Sequence, residues 1–121
     1  MAYFTGQPAS SRVREMIREA RTTGTPLSMT AVNLGEVWYS IARRFSESVA
    51  DETVENVWSL GFEITTPDWP LTREAARLKA QYRLSYADCF AAALARQLGG
   101  ELVTGDPEFR RLEEEVKIRW L

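Results

Sequence analysis

The sequence contains no histidine, and this absence removes several common kinds of active site. Serine and cysteine nucleophiles that depend on an imidazole base are excluded, as are histidine-based general acid and base nucleases. The usual zinc-hydrolase centres are excluded as well, because they bind their metal through histidine. Any chemistry that this chain performs must therefore use carboxylates, hydroxyls, lysine or arginine.

Cysteine and long apolar runs are also scarce. The one cysteine, Cys89, can form no internal disulfide, and its neighbours are apolar and helix-forming, so the sequence predicts a buried thiol in a reducing cytoplasm. No apolar run is long enough to cross a bilayer, and the first residues lack the basic and apolar regions of a signal peptide. We therefore predict a cytoplasmic protein without a membrane segment.

A strong excess of charge of either sign is missing too. The formal net charge is -2, so a nucleic acid would have to be held by a local basic patch or through a metal ion rather than by the overall field. With 121 residues, 45% of them hydrophobic and 26% charged, the composition is that of a soluble globular protein. We predict a single domain over residues 1–121.

Helical and strand-like patterns alternate along the chain. Apolar residues at helical spacing predict helices near residues 9–22, 30–42, 54–60, 71–82 and 87–98, and a short helix at 107–112. Short β-branched or aromatic segments predict strands at residues 27–29, 62–65, 101–104 and 116–120. The fifth helix is apolar on most sides, which indicates burial. This order predicts an α/β fold whose mainly parallel sheet is covered by helices.

Three acidic residues lie near the predicted strand ends and helix starts. Glu36 lies in the first turns of the second helix, Asp88 at the start of the buried fifth helix, and Asp106 just after the strand at 101–104. In an open parallel sheet, functional groups gather beyond the carboxyl ends of the strands. Carboxylates are preferred ligands of Mg²⁺ and Mn²⁺, so these three acids are candidate ligands of such an ion.

Each of these acids also has an ordinary structural explanation. Ser85 and Asp88 have the spacing of a capping-box variant, and Asp106 followed by Pro107 has the form of a helix N-cap. Glu36 could lie on the exposed flank of its helix. Considered singly, none of the three distinguishes a metal site from a structural role.

Three segments taken together resemble the later acidic motifs of PIN domains. They are residues 30–37 (TAVNLGEV), 84–95 (LSYADCFAAALA) and 102–109 (LVTGDPEF), in the order and spacing of the family. Residues 116–121 resemble the closing strand of the family, so the resemblance covers nearly the whole chain. Within the family, the chain is most similar to the VapC toxins. The resemblance implies a three-layer α/β/α sandwich with a mainly parallel sheet.

The resemblance also implies a metal-dependent endoribonuclease that is the toxin of a VapBC-type toxin–antitoxin pair. Carried over residue by residue, Glu36, Asp88 and Asp106 are the catalytic and metal-site acids, and Thr104 is a supporting hydroxyl. The implied cofactor is Mg²⁺ or Mn²⁺, which would activate water and neutralise charge on the attacked phosphodiester. The implied partners are an RNA substrate, an antitoxin of the VapB kind and a second copy of the chain in a homodimer.

Two arginines at the end of the second predicted helix allow two interpretations. Arg43 and Arg44 could contact phosphate, because the guanidinium group binds phosphate well. We favour a solvated helix end, since arginine is common on protein surfaces.

The chain departs from the family at its beginning. PIN domains open with a buried strand that ends in an Asp-Thr or Asp-Ser motif, and residues 2–8 resemble the helix that follows this strand. We expect the central first strand and its aspartate to be missing, through truncation or in a decayed relative, and we favour truncation. The gap between the strands at 27–29 and 102–104 should be closed by rearrangement, by a strand from a neighbouring chain or by dimerisation. With one acid fewer, the chain is expected to bind Mg²⁺ weakly and to cleave RNA slowly or not at all.

Two other functions are compatible with the sequence. The first is a non-catalytic PIN-like module that binds RNA or an antitoxin but holds no metal. The second is a plain α/β interaction domain in which all three acids have capping or surface roles.

Overall fold

Helices and strands alternate from Ser10 to the end of the chain. The computed structural model describes the backbone of residues 10–121 and the side chains of residues 14–121. In chain order the elements are α1 (Ser10–Thr23), β1 (Leu27–Thr30), α2 (Ala31–Arg44), α3 (Glu47–Ser59), β2 (Phe62–Thr65), α4 (Trp69–Gln81), α5 (Tyr86–Leu98), β3 (Glu101–Thr104), a 3₁₀ helix (Pro107–Leu112) and β4 (Lys117–Trp120). None of the helices in this part of the chain is both long and apolar enough to cross a membrane. The expected helical segment at residues 2–8 lies outside the described residues.

Side-chain caps set the starts of α2 to α5. Thr30, Ser46, Asp68 and Ser85 each precede one of these helices, and each accepts a hydrogen bond from the amide three residues later. Such caps satisfy amide groups that have no partner inside the helix. At the other end of α5, Gly99 has a left-handed backbone with a φ of 63°, which glycine adopts without steric cost.

The four described strands form two separate parallel sheets. β1 pairs with β2, with Leu27 opposite Phe62, and β3 pairs with β4, with Glu101 opposite Lys117. The parallel pairing confirms the predicted α/β class. Within residues 10–121, no strand pairs with the second edge of β1 or β3, and a cavity of about 530 Å³ lies between them. Among the described residues, the strands are therefore split between β1 and β3.

Helix α5 lies at the centre of the larger of two hydrophobic clusters. Its residues 89–94 are all buried, and they share this cluster with α4, β3 and the 3₁₀ helix. The second cluster surrounds Met29 of β1 and includes Ile17, Leu34, Val57 and Phe62. Helix α5 contacts β1 as well as β3, so it bridges the split between the two sheets. The predicted burial of the fifth helix and of the Cys89 thiol is confirmed.

Helix α3 is longer than the apolar pattern from residue 54 predicts. It begins at Glu47, where Ser46 caps it. Its first turns are polar except for Val49 and Ala50, and Ala50 is fully buried because α3 packs against α2. A single buried alanine gives little periodic signal, so the pattern alone missed this part of the helix.

Candidate metal centre

Asp88 is positioned by the first turn of α5. Ser85 caps this helix, and its Oγ accepts a hydrogen bond from the amide of Asp88 at 3.1 Å. The Asp88 side chain is half-buried, and its pKa is raised, first because burial disfavours the charged carboxylate and also because the negative charge of Asp106 is close. Ser85, and not Asp88, is therefore the N-cap of α5.

Asp106 lies where β3 turns into the 3₁₀ helix. The buried Thr104 hydroxyl accepts a hydrogen bond from the Asp106 amide at 3.0 Å, and Asp106 Oδ1 accepts one from the Glu108 amide at 2.9 Å. Asp106 is thus the N-cap of the short helix and Pro107 its first residue, as the sequence predicts. A carboxylate has two oxygens with several lone pairs, so capping leaves Asp106 able to bind a cation.

Three carboxylates converge where β3 ends and α5 begins. Asp88, Asp106 and Glu108 each offer one oxygen, and these oxygens lie within 4.8 Å of one another. The two aspartates are half-buried, whereas Glu108 is exposed. Hard oxygen donors at this spacing match the ligand preference of Mg²⁺ and Mn²⁺, which complete their shells with water. The chemistry of this acidic group therefore fits a divalent cation.

Glu108 belongs to the acidic group, but sequence patterns do not identify it as a member. It follows Asp106 by two residues, and the tight turn after Pro107 brings the two side chains together. The one sequence signal is an Asp-Pro-Glu run, which is also typical of an ordinary helix N-terminus.

Glu36 lies beside the acidic group rather than within it. It is half-buried in the second turn of α2, and it is not one of the three residues whose oxygens lie within 4.8 Å of one another. Its pKa is raised, first by burial and then by repulsion from Asp88, so the two carboxylates are close enough to interact. The structure thus brings Glu36, Asp88 and Asp106 to one region, and their roles there stay predictions.

Asn33 connects the helix that carries Glu36 to the helix that carries Asp88. Its buried side chain accepts a hydrogen bond from the Thr30 hydroxyl and donates one from Nδ2 to the carbonyl of Ala87 at 2.8 Å. Buried amide groups need such partners, so this pair of bonds holds the start of α2 against the start of α5. Asn33 lies inside a segment that resembles the family, but its spacing alone does not single it out.

Arg43 and Arg44 lie at the far end of α2 from the acidic group. The guanidinium carbon of Arg43 is 4.9 Å from the ring centre of Tyr39, and that of Arg44 is 5.7 Å from the ring centre of Phe45. A helix rises about 1.5 Å per residue, so Arg44 lies roughly 16 Å along the axis from Asn33. These contacts favour the helix-end interpretation over a phosphate contact at the acidic group.

A model of the PIN domain family matches residues 1–115 of the chain. The matched region contains Glu36 and all three residues of the acidic group, together with the helices and turns that position them. No curated protein and no solved structure matches the chain.

Proposed function

Because this chain belongs to the PIN domain family, which has a nuclease-type fold, we propose that it is a metal-dependent endoribonuclease. The observation that carries the proposal is the convergence of Asp88, Asp106 and Glu108, whose carboxylate oxygens lie within 4.8 Å of one another. The chain has no histidine, so its carboxylates are the groups best suited to support phosphodiester hydrolysis.

We assign Glu36, Asp88 and Asp106 to the metal site as catalytic acids, with Glu108 as a fourth carboxylate. When bound, Mg²⁺ or Mn²⁺ supplies an activated water and neutralises charge on the attacked phosphodiester. Asp88 and Asp106 would hold the ion through their oxygens, and Thr104 would orient Asp106 through its backbone amide. Because the pKa values of Glu36 and Asp88 are raised, protons should compete with the metal ion at acidic pH.

Cleavage of a single-stranded RNA, which we expect to be slow in this chain, tests this proposal. Asp88→Asn and Asp106→Asn keep the size of the side chain but remove its charge. We expect each to lower cleavage on the order of 100-fold, because losing even a residue that only orients a metal ligand typically costs about 10–100-fold. Glu55→Gln, which changes an exposed carboxylate on α3, is the matched control and should cleave normally. Cleavage that survives chelation of the metal and both substitutions would contradict the mechanism.

Metal binding can be measured apart from catalysis. Mn²⁺ should raise the Tm of the chain, because a ligand that binds only the folded state stabilises it. Asp88→Asn should abolish most of this rise, and Glu55→Gln should retain it. A Tm that does not respond to Mn²⁺ in the unsubstituted chain would rule out this metal site.

We further propose that the chain is a one-domain cytoplasmic toxin of a VapBC-type pair, whose partners are a VapB-like antitoxin and a second copy of the chain. Family membership supports this, as do Phe45 and Trp58, which expose 64% and 55% of their surface and offer apolar area to a partner. A buried, unpaired Cys89 suits a reducing compartment. Because this chain is expected to cleave RNA slowly, its expression in a bacterial host should slow growth, and expression of the Asp88→Asn variant should not. Slow growth that persists in this variant would count against an RNA-cleaving toxin.

A non-catalytic binding module is the second candidate function. Asp106 caps the 3₁₀ helix, so part of the acidic group already has a structural use. Such a module would bind RNA or an antitoxin, and its Tm would be the same with Mn²⁺ and with a chelator. The Tm measurement therefore separates the two candidates.

A further inference from the structure

A groove opens beside the acidic group, between the end of α4 and the start of α5. Its volume is about 530 Å³, and its walls are formed by residues 79–85 and by Glu108. Ser85 accepts the hydrogen bond from the Asp88 amide, and a Glu108 oxygen lies within 4.8 Å of those of Asp88 and Asp106. The groove therefore continues directly from the candidate metal centre.

Two basic side chains line this groove. Lys79 Nζ donates a hydrogen bond to the carbonyl of Leu84 at 2.6 Å, which holds the ammonium group at the wall and leaves it further N–H donors. The Arg83 guanidinium is exposed and has no hydrogen bond or ion pair among the described side chains. Arg111 donates to the carbonyl of Arg83 at 2.7 Å, so a third cation contacts the same loop. In a chain of net charge -2, these three cations form a local concentration of positive charge next to the acidic group.

A ligand that occupies both the groove and the metal centre must be anionic at more than one point. At the acidic group, a phosphate can be held only with a metal cation between it and the carboxylates. In the groove, lysine and arginine can bind phosphate oxygens directly. A single-stranded nucleic acid meets both requirements, because its backbone repeats phosphates along a flexible chain.

We propose that the groove is a second phosphate subsite, which holds the phosphodiester next to the one at the metal centre in a single-stranded RNA. The inference rests on the proposed nuclease function, from which it takes the class of substrate. Lys79 and Arg83 bind the RNA backbone there. These two side chains raise the affinity for RNA and fix its position along the groove. They confer no base preference, because phosphate contacts carry no sequence information.

Salt-dependent binding of a short fluorescent single-stranded RNA tests this subsite. The measurements use Asp88→Asn in the presence of a chelator, so that no cleavage occurs. Each phosphate contact adds about 0.7 to the slope of log affinity against log salt for single strands. Adding Arg83→Ala should therefore lower the slope by about 0.7, with Lys79→Ala acting in the same direction. The matched control is Arg18→Ala, which removes an exposed arginine on α1 and should leave the slope unchanged.

The charge at residue 83, rather than the shape of the side chain, should set the salt dependence of binding. The slope measured with Arg83→Lys should therefore be close to that measured with arginine at this position. If Arg83→Ala and Arg18→Ala bind RNA with the same slope, the subsite proposal is wrong. Should the chain still cleave RNA in a metal-dependent way in that case, the subsite fails alone and the proposed function stands. RNA that is neither bound nor cleaved would overturn both.

Discussion

At the scale of single residues, Glu36 and Asp88 are held in the fold at a cost in electrostatic free energy. Burial raises the pKa of each, and the pKa of Glu36 is raised further by Asp88 and that of Asp88 by Asp106. Without a metal ion, folding therefore disfavours the charged forms of these groups relative to the unfolded chain. A bound divalent cation would relieve the repulsion, which links stability to metal content.

Asp88→Asn should stabilise the metal-free chain at neutral pH. Because the folded-state pKa of Asp88 is raised, the associated stability is present below the ordinary aspartate pKa of about 3.9 and is lost as pH rises through the raised value. The asparagine variant has no such loss, so its Tm should exceed that of the unsubstituted chain at neutral pH. The two Tm values should approach each other below about pH 4. Thermal unfolding in a chelator over a pH series measures this, and a less stable variant at neutral pH would refute it.

Thr104→Val tests how Asp106 is positioned. Thr104 is fully buried, and valine has nearly its shape but cannot accept the Asp106 amide hydrogen bond. We expect the free energy of unfolding to fall by about 1 kcal/mol, because a half-buried amide loses its partner. The Mn²⁺-induced rise in Tm should also become smaller, since Asp106 is held less firmly. Thr104→Ser keeps the hydroxyl and should keep the metal response, so an equal response of the two variants would argue against this role. Urea unfolding and Mn²⁺ titration provide the measurements.

At the scale of elements, one carboxylate joins α4, α5 and the segment that leads into β4. Glu115 accepts hydrogen bonds from Arg77 of α4, from Arg96 of α5 and from the Tyr82 hydroxyl. Arg77 also forms an ion pair with Glu74 at 2.8 Å. The hydrogen bond from the Arg77 guanidinium is the main reason why the pKa of Glu115 lies below its ordinary value. These contacts fix the packing of the two helices beside the groove.

Glu115→Gln should lower the free energy of unfolding by about 1 kcal/mol at neutral pH, because hydrogen bonds to a charged acceptor are stronger than neutral ones. The pKa of Glu115 is lowered by folding, so its stabilisation is present above the ordinary glutamate pKa of about 4.3 and is lost as pH falls through the lowered value. The effect of the substitution should therefore shrink in acid. Urea unfolding at several pH values measures this loss of stability. The control is Glu114→Gln, which changes the exposed neighbouring glutamate. Equal destabilisation by the two variants would show that the contacts of Glu115 contribute nothing.

At the scale of the whole molecule, the split between β1 and β3 is the feature with the largest consequences. Within residues 10–121, each of these strands has one edge without a pairing strand, and a cavity of about 530 Å³ lies between them. Open strand edges are costly when shielded from water and tend to pair with another chain. Ala91, Leu94 and Leu98 of α5 line the cavity, so the open edges lie next to apolar surface.

We predict that a homodimer covers this split. Analytical ultracentrifugation should detect the dimer, and the amides of β1 and β3 should exchange more slowly in it than in the diluted chain. Leu98→Glu should weaken the dimer, because Leu98 lines the cavity with 57% of its surface exposed. Val49→Glu, a similar change at an exposed residue of α3, should have little effect. A monodisperse monomer whose β1 and β3 amides exchange rapidly would contradict this prediction.

Local structure could be predicted where short-range chemistry decides it. The strands Phe62–Thr65 and Glu101–Thr104 have their predicted bounds, because each is a run of strand-forming residues that directly follows a glycine. The cap at Thr30 is predictable for a similar reason, since the hydroxyl acts on an amide three residues away. The start of α3 at Glu47 was not predictable from apolar spacing, because the burial of Ala50 depends on α2.

By itself, the sequence determined which acids are candidates and, through its resemblance to a family, predicted that they belong to one site. Only the tertiary structure decided that Glu108 joins Asp88 and Asp106, and that Asn33 ties the start of α2 to α5. The groove that places Arg83 beside these acids is likewise a result of packing. The physical reason is that apolar periodicity reports which face of a segment is buried. The distance between residues far apart in the chain depends instead on how helices and strands pack, and no single segment encodes that packing.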